Sequence, residues 1–98
     1  MTPQIGNFSD EIFLGEFVPL EERVVARIGP ETFHWFIVRR KNDYPVHVCG
    51  QYVRAERDGS IAVIYDEAER SHTVAQFSHE EVEGVFEGDT PVVIRQSA

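Results

Sequence analysis

The fold is decided by residues 46–65, which read VHVCGQYVRAERDGSIAVIY. Two runs rich in β-branched residues flank Asp58-Gly59, and glycine supplies the positive φ that a tight hairpin turn requires. The stretch therefore predicts an antiparallel hairpin, with one arm within Val46–Arg57 and the other over Ile61–Tyr65. Gly50 falls inside the first arm, where a glycine indicates a bulge or a sharp bend.

Two further strands are predicted on the N-terminal side of this hairpin. Arg23–Ile28 alternates between polar and apolar positions, which is typical of a half-buried strand. Gly29-Pro30-Glu31 has the composition of a turn. Thr32–Arg39 is apolar on both faces, which predicts a central strand joined to the preceding one by a hairpin.

A short helix is predicted near the C-terminus, around residues 79–87. Ser78 and Glu81 have the spacing of a capping box, in which each side chain bonds to the other residue's backbone N–H. Positions i, i+3 and i+4 of the following turn carry an apolar stripe, made of Val82, Val85 and Phe86. Gly88 follows the stripe and is a typical helix terminator.

The segments around this helix complete the predicted secondary structure. Asp66–Ser71 is a charged connection in which we expect one helical turn. His72–Phe77 follows as a strand, and Pro91–Arg95 supplies a last short strand with its proline at the start, where a missing donor is tolerated.

Composition supports a fold built mainly from strands. Valine and isoleucine number twenty against two leucines, and eleven residues are aromatic. Such side chains pack well on a pleated sheet and lose rotamer freedom on a helix. We therefore expect an α+β fold with a curled antiparallel sheet of about five or six strands and the helix near residues 79–87; closure into a small SH3-like or OB-like barrel is left open.

The 98 residues fit a single domain, since no Gly/Ser-rich or Pro-rich linker divides them. Within it, residues 23–98 form the predicted β-rich body. Residues 1–22 carry aromatic side chains among acids, without a regular period. We interpret them as an N-terminal cover that packs on the sheet; the alternative is a docking arm that presents Phe8, Phe13 and Phe17 to a partner.

Charge and cysteine content narrow the class of protein. Seventeen acids against nine bases give a formal net charge of −8, which disfavours direct binding to nucleic acid or to anionic lipid. Cys49 is the one cysteine, so no intramolecular disulfide is available and a reducing compartment fits best. Neither a secretory signal pattern nor a long apolar stretch is visible, so we expect a soluble cytoplasmic protein that does not contact the membrane.

Two kinds of residue pattern in the sequence are compatible with a chemical role. His47 and Cys49 fall on one face of a strand, which is compatible with two zinc ligands, but a structural zinc site needs two more. Ser71-His72 and Ser78-His79 each place a hydroxyl beside an imidazole, although neighbours on a strand point to opposite faces. We therefore expect no metal, no cofactor and no catalytic residue.

Charged clusters give weaker indications of binding. Arg39, Arg40 and Lys41 form the basic cluster, which we interpret as a solvated turn; the alternative is a contact for an acidic patch on a protein partner. The acidic C-terminal half favours solubility, and its alternative is mimicry of nucleic-acid phosphates.

These features favour a small acidic protein-interaction module without enzymatic activity: an inhibitor, an adaptor or an assembly component, including one that associates with itself. One alternative is a small hydrolytic enzyme that uses His34, His47, His72 or His79. That alternative requires two imidazoles and a carboxylate to line one pocket. The other alternative is an acidic mimic that blocks a nucleic-acid-binding protein.

Overall fold

Strands account for most of the chain that the structure, a computed structural model, describes, which is residues 20–97. One helix, α1 (Glu22–Ile28), precedes a short 3-10 turn over Pro30–Thr32. The eight strands are β1 (His34–Arg40), β2 (Val46–Gly50), β3 (Tyr52–Ala55), β4 (Ile61–Glu67), β5 (Arg70–Phe77), β6 (Val82–Glu87), β7 (Thr90–Pro91) and β8 (Ile94–Gln96). Phe8, Phe13 and Phe17 lie outside the described residues.

The strands form two four-stranded sheets and not the single curled sheet that the sequence predicts. The first sheet has the order β2-β1-β6-β7, and the second has the order β5-β4-β3-β8. All neighbours are antiparallel except β3 and β8, which run parallel. Within residues 20–97 each sheet keeps two edge strands, so neither closes into a barrel.

A bend at Gly50 and Gln51 carries the chain from the first sheet to the second. β2 ends at Gly50, and β3 begins at Tyr52. The Gln51 N–H donates to the Ile64 carbonyl at 2.8 Å, which anchors the bend on β4. A Cβ atom at Gly50 would lie 2.5 Å from Val63 Cγ1, so β4 approaches too closely for any side chain here. The predicted bend is confirmed, and the close packing of Val63 explains why it requires a glycine at residue 50.

Two hairpins connect β3, β4 and β5. The predicted Asp58-Gly59 hairpin is confirmed, because Ala55 lies opposite Ile61 and Gly59 has a φ of +92°. The helical turn expected within Asp66–Ser71 is wrong. Ala68 and Glu69 instead form a two-residue turn with φ values of 55° and 64°. A turn with positive φ at both positions matches the right-handed twist of the flanking strands. Positive φ is unfavourable for residues other than glycine, and the long pairing of β4 with β5 offsets this conformational cost.

The helix predicted near residues 79–87 is wrong, because Val82–Glu87 is strand β6 in the centre of the first sheet. Ser78 and Glu81 form a turn, in which the Glu81 N–H donates to the Ser78 backbone carbonyl at 3.1 Å. Pairing with β1 satisfies the backbone groups of β6 and buries Val85. Gly84 also opposes a helix, since a glycine in a helix interior costs about 1 kcal/mol relative to alanine.

The strand predicted over Arg23–Ile28 is also wrong, and α1 occupies these residues. Val24, Val25 and Ile28 lie on the side of this helix that packs against the core. Glu22 in the first turn and Arg27 in the last turn suit the helix dipole. Gly29 ends the helix at a φ of 134°, with its N–H donating to the Val25 carbonyl. A run of seven residues is short enough to fit both the period of a helix and the period of a strand, so packing against the core decides which of the two forms.

The facing sides of the two sheets share one hydrophobic core. Its fully buried side chains come from both sheets: Val38, Val46 and Val48 from the first, and Val53, Val63, Val74 and Phe77 from the second. Each such residue contributes about 1.5–3 kcal/mol relative to an exposed one. Among residues 20–97, no helix combines the length and the apolar character needed to cross a bilayer.

Replacing Gly50 with alanine tests the bend. The new methyl would meet Val63 Cγ1 and the Ile64 carbonyl, so the free energy of unfolding should fall by about 1–3 kcal/mol in urea denaturation. Gly88→Asn is the control, since nothing lies within 4 Å of a Cβ there and asparagine tolerates its φ of +63°. A Gly50→Ala variant that unfolds at the wild-type urea midpoint would contradict the packing described for the bend.

Candidate functional site

Alternation along β1 divides its side chains between the core and the opposite side of the first sheet. Phe36 and Val38 are buried in the core at 4% and 0% exposure. Trp35, Ile37 and Arg39 point to the opposite side, where Trp35 is 37% exposed and Arg39 is exposed. The central strand of the sheet thus presents large side chains on the side away from the core.

Strand register extends this surface across the whole first sheet. Ile37 lies opposite His47 on β2 and opposite Phe86 on β6. Phe86 in turn lies opposite Pro91 on β7. Residues that are directly opposite share one side of a sheet and contact each other. We call this surface the outer face; its accessible side chains are Trp35, Ile37, Arg39, His47, Phe86 and Pro91, whereas Cys49, opposite Trp35 on the same side, is buried.

Gly84 leaves room for the Phe86 ring on the outer face. A Cβ atom at Gly84 would be 3.0 Å from Cε1 of Phe86, so the Phe86 ring covers this glycine. Arg39 lies directly opposite Gly84, and its guanidinium carbon is 5.3 Å from the centre of the Phe86 ring. The cation–π contact therefore holds Arg39 along the surface, with its charge beside the apolar row.

The predicted basic cluster is divided by the same alternation. Arg39 belongs to the outer face, whereas the side chain of Arg40 is 4% exposed. Arg40 Nε donates to the Tyr44 carbonyl at 2.9 Å, and Arg40 Nη2 lies 3.2 Å from Asp43 Oδ1. Arg40 thus fixes the loop between β1 and β2, while Lys41 is exposed. Whether Arg39, Arg40 and Lys41 contact a partner stays a prediction.

The four histidines have separate surroundings within the described residues. His34 Nδ1 lies 2.8 Å from Glu87 Oε2, and His47 belongs to the outer face. His72 stacks on the Tyr65 ring with 4.8 Å between the centres, and His79 lies beside Gly59. No two of these imidazoles line one cleft with a carboxylate in this part of the chain. The arrangement that a histidine-dependent hydrolase requires is therefore not formed by residues 20–97.

The hydroxyl groups next to two of these histidines are used in local structure. Ser71 Oγ donates to Asp66 Oδ1 at 2.9 Å, and Ser78 Oγ accepts from the Glu80 N–H at 3.3 Å. Between Leu20 and Ser97, no group of three or more histidine, cysteine or acidic side chains is arranged to hold a metal ion.

A cleft of about 290 Å³ opens between the two sheets. Its lining is mixed, and its apolar members include Phe36, Val53 and Val92. His34 and Glu87 contribute polar groups from the first sheet, and Tyr52 and Arg95 contribute them from the second. Sequence reasoning did not find Tyr52 or Arg95, because the parallel pairing of β3 with β8 joins distant segments.

Acidic side chains are spread over different turns. Asp66 and Glu69 lie near the turn that precedes β5, whereas Glu80 lies in the turn that follows β5. Asp89 lies beyond β6, at the opposite end of that strand from Glu80. The acidic residues of the C-terminal half of the chain therefore lie at both ends of the strands.

A scan against protein-family models finds no match, and neither curated proteins nor solved structures match this chain.

Cys49 shares a side of β2 with His47, as the spacing predicts, but it is only 4% exposed. Burial raises the pKa of its thiol from 9.0 to about 11. At neutral pH the thiol is therefore protonated, and it packs as a small apolar side chain.

Alkaline unfolding tests this state of Cys49. The pKa is raised in the folded protein, so the stabilisation is fully present below pH 9 and is lost as the pH rises through about 11. The free energy of unfolding should fall by up to about 1.4 kcal/mol per pH unit in this window. Cys49→Ala should decline less steeply, retaining only the contribution of other groups such as Tyr65, whose pKa burial also raises. Identical pH profiles would contradict a buried thiol.

Proposed function

We propose that the chain is a small acidic protein-interaction module without enzymatic activity, and that the outer face is its binding surface. The observation that supports this most strongly is the continuous row Ile37, Phe86 and Pro91 beside Trp35, away from the core. Contiguous apolar side chains on the surface of a small protein mark sites where another molecule binds.

The residue types on the outer face are those that dominate protein interfaces. Tryptophan and arginine are enriched among the residues that carry most of the binding free energy. Trp35 is 37% exposed, so a partner can still bury a substantial part of the indole. Arg39 is already held by the Phe86 ring, so less side-chain entropy is lost when a partner binds it.

The partner we propose is a protein segment that combines apolar side chains with carboxylates. Arg39 and His47 are the ionisable groups of the outer face and flank its apolar row, so carboxylates of a partner can pair with them. The chain as a whole has a net charge of −8, so its surface outside the outer face repels acidic partners. Such a charge distribution steers an acidic segment toward the outer face and fixes its orientation.

Other parts of the proposal have separate support. The absence of enzymatic activity is supported by the separate surroundings of the four histidines in residues 20–97. A cytoplasmic location is supported by the lone buried Cys49, which suits a reducing compartment. A role of Phe8, Phe13 and Phe17 in partner binding stays a prediction, as does self-association.

Affinity measurements on substituted full-length chains test the outer face. The immobilised wild-type chain is used to isolate a partner, and the affinity of that partner is then measured by titration. Trp35→Ala and Arg39→Glu should each weaken binding by about tenfold or more, because the first removes an aromatic anchor and the second repels carboxylates. Thermal melts check that both variants stay folded.

Arg57→Glu is the matched control, since it makes the same charge change in the turn between β3 and β4, away from the outer face. Its affinity should stay within about twofold of wild type, allowing for the weak effect of distant charges. Equal affinities for the wild-type chain and Trp35→Ala would overturn the proposal. The absence of both a stoichiometric partner and self-association by light scattering would overturn it as well.

A further inference from the structure

We propose that the cleft between the two sheets binds a small apolar molecule that carries a carboxylate, and that Arg95 binds this carboxylate. Pro91 borders both this cleft and the outer face, but the ligand and the charge that binds it are different, so the inference goes beyond the interaction function proposed above. The argument depends on the shape of the cleft, the position of Arg95 and the contacts that hold Tyr52.

The cleft has the shape and lining of a site for a small ligand. Its volume is about 290 Å³, near the lower end of the range for ligand pockets. Phe36 is 4% exposed and Val53 is 1% exposed, so the accessible apolar surface comes mainly from Val92 and Val93. Such side chains beside a few polar groups bind the body of a ligand and orient its polar end.

Arg95 supplies a positive charge that is held in place without a carboxylate. Its guanidinium carbon lies 4.1 Å from the centre of the Tyr52 ring, at the rim of the cleft. Between Leu20 and Ser97, no ion pair joins Arg95 to a carboxylate, whereas Arg23, Arg27 and Arg54, for example, each lie beside one. Stacking uses the flat side of a guanidinium and leaves its N–H edge for two parallel bonds to a carboxylate.

A chain of hydrogen bonds fixes the ring on which Arg95 stacks. The Tyr52 hydroxyl donates to Asp66 Oδ1 at 2.9 Å, and the Asp66 N–H donates to Gln51 Oε1 at 2.8 Å. Gln51 Nε2 then donates to Thr32 Oγ1 at 2.8 Å. Tyr52 is therefore held before any ligand arrives, which lowers the entropy cost of binding.

The opposite rim of the cleft is formed by a histidine–carboxylate pair. Because Glu87 Oε2 lies 2.8 Å from His34 Nδ1, this carboxylate already has a hydrogen-bonding partner, and no ion pair joins it to Arg95 among the described residues. A ligand with its carboxylate at Arg95 leaves the His34–Glu87 pair intact and places its apolar body against Val92 and Val93. The two rims thus define one orientation of the ligand.

Titration of the full chain with 4-phenylbutyrate and with the matched neutral 4-phenylbutyramide tests this proposal. Backbone amide NMR shifts should identify Tyr52, Val92 and Arg95 as the region that changes with 4-phenylbutyrate. The amide should bind about tenfold or more weakly, because it lacks the charge that pairs with the guanidinium. Equal binding of acid and amide would overturn the proposal, as would the absence of saturable binding of 4-phenylbutyrate up to about 10 mM.

Substitutions then assign the charge and its support. Arg95→Gln keeps a polar side chain of similar length and should weaken 4-phenylbutyrate binding about tenfold, while Arg57→Gln should leave it unchanged. Tyr52→Leu should also weaken binding, because Arg95 loses the ring that positions it. Unchanged affinity in Arg95→Gln would overturn the proposal. Trp35→Ala should bind 4-phenylbutyrate like wild type, so failure of the outer face as a binding surface is measured separately.

Discussion

The close approach of Gly50 to strand β4 is the constraint on which the rest of this structure depends. Val63 lies where a side chain at residue 50 would be, so only glycine fits at the point where the chain passes from one sheet to the other. That passage lets β2 and β3 contribute to different sheets whose valine-rich faces meet in one core. The outer face and the cleft are both consequences: the first is the side of a sheet turned from the core, and the second lies where the two sheets separate.

The two proposed sites differ because the surfaces differ in shape. The outer face spans four strands, which suits a protein segment that buries many side chains at once. The cleft is concave and small, which suits a ligand of few atoms. Each holds an arginine on an aromatic ring, Arg39 on Phe86 and Arg95 on Tyr52, so each presents a positioned positive charge on an otherwise acidic protein.

Local chemistry in the sequence was enough to predict the Asp58-Gly59 hairpin and the bend at Gly50, since glycine has a direct conformational role at both. It was not enough for β6, because a Ser-x-x-Glu pattern forms a turn as readily as a helix start, and pairing with β1 then decides. The outer face could not be predicted from the sequence either. Ile37, Phe86 and Pro91 become neighbours only through the pairing of strands that are distant in the chain. Arg39 was found as part of a basic cluster, but its separation from buried Arg40 follows from alternation along β1.

Fluorescence of Trp35, the one tryptophan in the sequence, reports directly on the outer face. In the free protein its indole is 37% exposed, so acrylamide should quench its emission. The isolated partner should lack tryptophan or be labelled so that its signal can be separated. When this partner saturates the chain, the emission of Trp35 should shift to shorter wavelength and its acrylamide quenching constant should fall several-fold. Both changes are expected because the partner removes water from the indole. Unchanged emission and quenching in the saturated complex would contradict binding through the outer face.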